Sequence, residues 1–275
     1  MTRTAERNAS PGEPGGPSTD EPTVAKAPRS WPWQLVVFAA FLAVWHVGVQ
    51  AGWLSRRSFA EPGQVLAWMW EWHSTGESLP HLGFTLSAAA MGYLVGIALG
   101  STIAVLFFFV PFLGRVFNPF MALVNGIPKI VLAPLLVLVF GLGLESKIAT
   151  AGLLVFFASY FNFSGGLRSV NQVLIDNTRA MGASTPQMAT SLYVPALVAW
   201  TISTLRVGIA FALLGVVVGE FVGSNQGVGW NIRLAGELAE PERLLGALIT
   251  LGLIAALVDR LLVGVERRYS QWKLA

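Results

Sequence analysis

The chain has 275 residues, 54% of them hydrophobic and only 12% charged, with no cysteine and a formal net charge of +3. A soluble domain of this length cannot hide that much apolar surface, so lipid must solvate part of it. Disulfides and thiolate metal sites are excluded, the few histidines show no ligand spacing, and no nucleic-acid partner is expected.

Residues 1–30 interleave Pro11, Gly12, Pro14, Gly15, Gly16 and Pro17 with Glu13, Asp20 and Glu21. With almost nothing to pack, this stretch is expected to be a disordered tail. It lacks the short apolar core and small-residue cleavage site of a signal peptide, so the first apolar span is expected to stay as an anchor.

A helix needs roughly 20 apolar residues to cross a bilayer, and on that measure about six spans follow. They fall near 33–54, 82–110, 117–140, 148–163, 196–222 and 244–265. The expectation is an all-α polytopic membrane domain over 31–273 with both termini on one side. After the first span, Trp68, Trp70 and Trp72 follow Pro62. Tryptophans at that density suit a short interfacial helix at the outer rim more than a ligand-binding aromatic box.

On the second span, Gly92, Gly96 and Gly100 recur every fourth residue, a small-residue face that permits close helix approach, either within the subunit or to a second copy. The third span is irregular, because Pro128, Lys129 and Pro134 interrupt it. A charge inside a span costs roughly 2.5–3.5 kcal/mol on insertion scales, which makes Lys129 a candidate for the translocation pathway, with Pro134 beside it. Irregular backbone at depth is tolerated only against protein or a water-filled cavity. Lys129 either attracts an anionic substrate there or snorkels to the headgroups.

Between the fourth and fifth spans, residues 176–195 form a polar, kinked interruption. Asn171 or Ser169 caps a first helix that carries Asp176 on its solvent side and ends near Met181. Gly182 supplies the turn. Thr185 then acts as N-cap and Pro186 as first-turn proline of a second short helix, striped by Met188 and Leu192. Val194-Pro195 is expected to end it. Such an elbow is either a knob for a partner to grip or an ordinary structured loop.

The fifth span carries Arg206 and Glu220, roughly 21 Å apart at 1.5 Å per residue and so unable to pair. Asp259 on the sixth span is the expected partner of Arg206, in a structural role. Glu220 leads into the polar segment 222–227, expected to be a flexible outer loop that gates the pathway or meets a soluble protein. Both residues remain pathway candidates.

Lysine and arginine placement sets the orientation. Arg3, Arg7, Lys26, Arg29, Arg115, Arg168, Arg179, Arg267, Arg268 and Lys273 fall on one side, against Arg56, Arg57, Lys147, Arg233 and Arg243 on the other. Both termini and the 176–195 elbow are therefore assigned to the cytoplasm.

The order acid, Gly, then aliphatic-x-aliphatic-Pro, with Gly182, Leu192, Val194 and Pro195 on its fixed positions, resembles the EAA loop of binding-protein-dependent ABC importer permeases. Asp176 stands for the glutamate, and Asn177-Thr178 replace the two alanines. Further similarity lies in Ile127-Pro128-Lys129-Ile130-Val131-Leu132-Ala133-Pro134-Leu135, in Phe140-Gly141-Leu142-Gly143 and Ser146-Lys147, in Gly165, Leu167-Arg168-Ser169-Val170, Leu205-Arg206 and Gly219-Glu220, and in Gly227-Val228-Gly229. Together these look like the nitrate/sulfonate/taurine branch, over about residues 35–273.

The resemblance implies a cell-membrane permease subunit that pairs with a second copy around a shared pathway. It implies that a coupling loop, about residues 164–195, docks on cytoplasmic ABC ATPase subunits, and that an extracytoplasmic substrate-binding protein delivers a small anion. Carried over, Asp176, Gly182 and Pro195 shape the coupling element, and the segment from Thr185 through Met188 to Leu192 supplies its contacts. ATP and Mg would bind the partner, since this chain has no Gly-rich phosphate loop, and no cofactor of its own is expected. ATP-driven closure of the ATPases would then rock the loops and switch the pathway. An importer of a heterocyclic vitamin precursor, or an ion-gradient-driven secondary transporter, are the alternatives. The latter would show internal repeats and broken helices in both halves. An enzyme would need clustered His, Asp, Glu or Ser groups inside the spans, and neither a Gly-x-Ser-x-Gly elbow nor a His-Glu-x-x-His is present.

Overall fold

A computed structural model describes residues 31–56 and 58–270. The 1–30 tail, Arg57 and Lys273 lie outside the described residues. The chain divides into two units, Met1–Ala43 and Val44–Ala275. In the first, the described residues are the opening turns of helix α1 (Trp31–Gln50), apolar and exposed. Everything below concerns the second.

Its described elements are all helical: α2 (Pro62–Ser74), α3 (Ser78–Phe109), α4 (Pro111–Asn125), a 3-10 turn (Lys129–Leu132), α5 (Ala133–Phe140), α6 (Leu144–Arg168), α7 (Gln172–Ala180), α8 (Thr185–Met188), a π turn (Ala189–Tyr193), α9 (Val194–Val222), α10 (Val228–Leu238) and α11 (Pro241–Ser270). Counting α1, five are long and apolar enough to cross a membrane, or six if the bent α4–α5 pair is one span. That matches the expected architecture. The fourth and sixth spans run several residues past their expected ends, because charged and polar residues such as Glu145, Arg168 and Glu242 are good helix formers that hydropathy alone discounts.

α6 is the central helix, packed by α3 on one side and α9 on the other. Ala88, Ala151, Val155, Ala212 and Val216 close the contact. In lipid, helices associate by close packing rather than by escape from water, so small residues at the seam decide how near the backbones come. A Cβ on Gly96 would lie 2.6 Å from Val155 Cβ, and one on Gly100 2.5 Å from Phe156 O. On the other face, a Cβ on Gly215 would sit 2.6 Å from Ala151 Cα. The glycine face on the second span therefore serves α3–α6 packing within the subunit.

The third span is broken as expected. α4 and the α5 segment meet at 86°. The cause is local: Ile127 precedes a proline, which disfavours helical backbone, and Pro128 is extended at φ −61°, ψ 101°. Pro134 then sits in the first turn of α5, where a missing N–H costs nothing.

One expectation is corrected around α2. The tryptophan segment does form a helix, α2, but only Trp70 faces outward, 77% exposed. Trp68 and Trp72 stack at 4.8 Å and pack with Val228, Ile232 and Ala247 of α10 and α11, so they are core rather than rim. The expected loop is present over residues 223–227, and the segment after Gly227, for which no element was expected, is helical. Val228, Ile232 and Ala235 make an apolar stripe and form the buried face of α10.

Candidate functional site: the elbow and the charged residues of the spans

The elbow is built from local backbone chemistry. Asn171 caps α7, its side chain accepting from Val173 N at 2.8 Å. Asp176 lies exposed on α7, within 3.8 Å of Arg179, and accepts from Gln172 Nε2 at 3.2 Å. α7 ends at Ala180, and two residues on the chain turns at Gly182, whose φ of +83° is a left-handed conformation that strains other residues. Met181 beside it is 80% exposed, an apolar tip on a polar elbow.

The second arm departs from expectation in three ways. The N-cap of α8 is Ser184, not Thr185. Gln187 lies three residues beyond Ser184, and its Oε1 accepts from Ser184 N at 2.8 Å, the reciprocal half of a capping box. Met188 and Leu192 also point inward: Met188 is buried and Leu192 half-buried, in a cluster with Leu167, Ile175 and Tyr193. Thr185, Pro186, Gln187, Thr190 and Ser191 are exposed on that arm.

Third, Val194-Pro195 does not end a helix. α8 continues through the π turn directly into α9, with Pro195 in the first turn of α9. Val194 N donates to Ala189 O, five residues back. A proline inside a regular helix loses one hydrogen bond and presses on the carbonyl four residues earlier; the widened turn removes that clash. Tyr193 anchors the turn to the end of α3, its ring 5.0 Å from Phe108 and 5.8 Å from Phe109. Behind it, a Cβ on Gly166 would lie 2.7 Å from Trp200, so α6 and α9 meet closely just above the elbow.

The pathway candidates do not converge on one point. Lys129 Nζ donates to Asn125 O and Oδ1, both at 2.8 Å, and stands 4.9 Å over the Phe157 ring. It thereby caps the C-terminal end of α4, where carbonyls lack helical partners. It also lines a cavity of ≈ 300 Å³ with Phe157, Asn162, Val207 and Phe211. Pro134 belongs to the α5 entry already described. Arg206 donates to Asp259 through two bonds, Nε to Oδ1 at 2.6 Å and Nη2 to Oδ2 at 2.9 Å. That is the expected pair, in fork-to-fork geometry, with both side chains about half exposed.

Glu220 is fully buried, and the expected flexible loop after it is pinned. Its Oε1 accepts from Thr85 Oγ1 at 2.7 Å and its Oε2 from Gly229 N at 2.8 Å. Thr85 Oγ1 in turn accepts from Val228 N at 3.0 Å, and His81 Nδ1 from Gly227 N at 3.1 Å. The first N–H groups of α10 are thus satisfied by side chains of α3 and α9, with a carboxylate at the positive end of the helix. A Cβ on Gly227, at φ +109°, would overlap the Glu220 carboxyl.

Beside this node sits Lys147, counted above among the outer-side charges but fully buried. Its Nζ donates to Leu142 O at 2.9 Å, to Ser146 Oγ at 3.1 Å and to Gly223 O. All three ammonium donors are used, so the lysine ties the α5–α6 turn to the α9–α10 turn. Orientation by counting charges had no way to see this, whereas the Ser146-Lys147 and Gly219-Glu220 pairs were visible as part of the family resemblance. Thr85 and His81 carried no signal in the sequence. Among the described residues, no group of three or more His, Asp or Glu side chains is placed to hold a metal ion.

Residues 92–271 match the family described as binding-protein-dependent transport system inner membrane component. The chain is 28% identical to a putative aliphatic sulfonates transport permease protein, SsuC, of Bacillus subtilis, over 94% of this chain and 95% of that one. It is 31% identical to the riboflavin transport system permease protein RibX of Chloroflexus aurantiacus, over 84% of this chain and 89% of that one. Among solved structures, an inward-facing MetNI methionine ABC transporter aligns with a TM-score of 0.60 and 18% identity, over 69% of this chain and 94% of that chain. At that identity the likeness is one of fold.

Proposed function

The chain belongs to the family of binding-protein-dependent transport system inner membrane components, and from that premise we propose how its elbow and its spans are used. It is a multi-pass permease of the ABC importer type, in the plasma membrane. Its cargo is a small anion of the sulfonate, taurine or nitrate kind, delivered outside by a soluble binding protein and released through a pathway shared with a second copy. Support for an anion comes from the likeness to an aliphatic sulfonates permease and from the cation of Lys129 facing a cavity in the broken third span.

The elbow is the coupling element, and cytoplasmic ATPase subunits, which bind ATP and Mg, are its partner. One observation carries this: the second arm is continuous with α9 through the π turn, so displacing the elbow displaces a span. Asp176, Gly182, Thr185 and the apolar tip Met181 face the partner. Met188, Leu192 and Pro195 hold the elbow's own shape. The 1–30 segment is a cytoplasmic tail.

Co-purification with the cognate ATPase, followed by ATP hydrolysis and uptake in proteoliposomes, tests the coupling role. Transport that still tracks hydrolysis normally after Gly182 is replaced by a bulky residue would refute it. For the cargo, the soluble binding protein is assayed against sulfonates, taurine, nitrate and heterocycles. Preference for a heterocycle would establish the second reading, which the 31% identity to RibX favours.

A further inference from the structure

Where α3 ends and α4 begins, an open cleft of ≈ 520 Å³ is lined by Phe107, Phe108, Pro111, Arg115, Asn118 and Arg168, among others. A small inward extension adds Ser164 and again includes Asn118 and Arg168. No acidic residue lines either space. Among the described residues neither Arg115 nor Arg168 is in an ion pair, unlike Arg179, Arg206, Arg233 and Arg243. Asn118 Oδ1 accepts from the Tyr160 hydroxyl, which fixes the amide and leaves its nitrogen as a further donor in the cleft. Neither the elbow nor the outer node uses any of these groups.

Two guanidinium forks and an amide donor in one cleft match a group with several anionic oxygens in a small volume. The surroundings narrow the class. Phe107 stacks on Phe117 at 5.7 Å, and Phe112 and Phe120 on α4 are exposed, giving apolar surface next to the cationic cleft. The charge bias puts this end of the spans in the cytoplasm, and basic pockets between spans on that side suit acidic headgroups. We propose that Arg115 and Arg168 form a phosphate-binding site at the cytoplasmic membrane surface, filled by the headgroup of an anionic phospholipid or by free phosphate.

The test uses the full chain purified in neutral detergent and titrated separately with phosphatidylglycerol, phosphatidylcholine and inorganic phosphate, followed by native mass spectrometry and thermal unfolding. Expected is at least about a tenfold preference for phosphatidylglycerol over phosphatidylcholine, abolished in R115Q/R168Q and kept in R260Q, which removes a positive charge elsewhere. R115K/R168K retains the charge without the fork and is expected to keep only part of the preference. It also serves if the glutamine variant fails to fold. Stabilisation by inorganic phosphate alone, lost in R115Q/R168Q, supports the site and assigns it to the soluble anion. Absence of both effects, or effects undiminished in the arginine variants, overturns the proposal.

Discussion

Thr85 and Glu220 stand 135 residues apart in sequence yet meet through a 2.7 Å hydrogen bond that joins α3 to α9 in the buried interior. Because Thr85 Oγ1 also accepts from Val228 N, one hydroxyl fixes the start of α10 as well. Removing the hydroxyl leaves a buried carboxylate oxygen and a buried N–H without partners. Thr85→Val is expected to destabilise the protein by about 1–3 kcal/mol. Thr85→Ser should recover most of that loss, and thermal unfolding midpoints of the two variants against wild type check it.

Gly227 is constrained twice, by its positive φ and by the Glu220 carboxyl that fills the place of a side chain. Gly227→Ala is therefore expected to lower folded yield sharply. Gly252→Ala, on α11 with nothing within 4 Å, should change little. Size-exclusion profiles after detergent extraction distinguish the two.

At Gly182 only the backbone objects, since a Cβ there meets nothing within 4 Å. The expected order of tolerance is Asn above Ala above Val, because Asn visits left-handed backbone most easily and β-branched residues least. Ala should cost about 1 kcal/mol. Coupled ATP hydrolysis of the reconstituted importer should fall in the same order, and an equal activity across the series would sink the assignment.

The Arg206–Asp259 pair is half exposed, so its net contribution should be only about 0.2–1 kcal/mol if water reaches it. A double-mutant cycle with Arg206→Ala and Asp259→Ala measures the coupling. The charge-swapped double variant should unfold closer to wild type than either single reversal.

Gly96→Val inserts two methyl groups where a Cβ already falls 2.6 Å from Val155 Cβ. The α3–α6 seam must open, at a cost of about 1–3 kcal/mol. Val155→Ala in the same chain should recover part of it, read as a shift in unfolding midpoint.

The spans, the break near Pro128, the Arg206–Asp259 pair and the turn at Gly182 were legible because each rests on chemistry local to a few residues: hydropathy, a proline's missing donor, opposite charges at matching depth, a glycine's backbone freedom. What was not legible depends on tertiary packing. Whether Met188 faces a partner or its own core is decided by Leu167 and Ile175, contributed by other helices. Lys147 reads as a loop charge until three acceptors from two turns surround it. The same holds for Trp72, whose core neighbours lie on α10 and α11.

The π turn between α8 and α9 carries one residue more than regular winding requires. At 3.6 residues per turn, that surplus rotates everything downstream by about 100°. Deleting Thr190 would restore uniform pitch only by swinging Gly208, Gly215 and Glu220 away from the neighbours they now meet, or by unwinding the elbow to compensate. A supernumerary residue at one end of α9 is thus the indexing mark that sets which side of the whole rod looks inward.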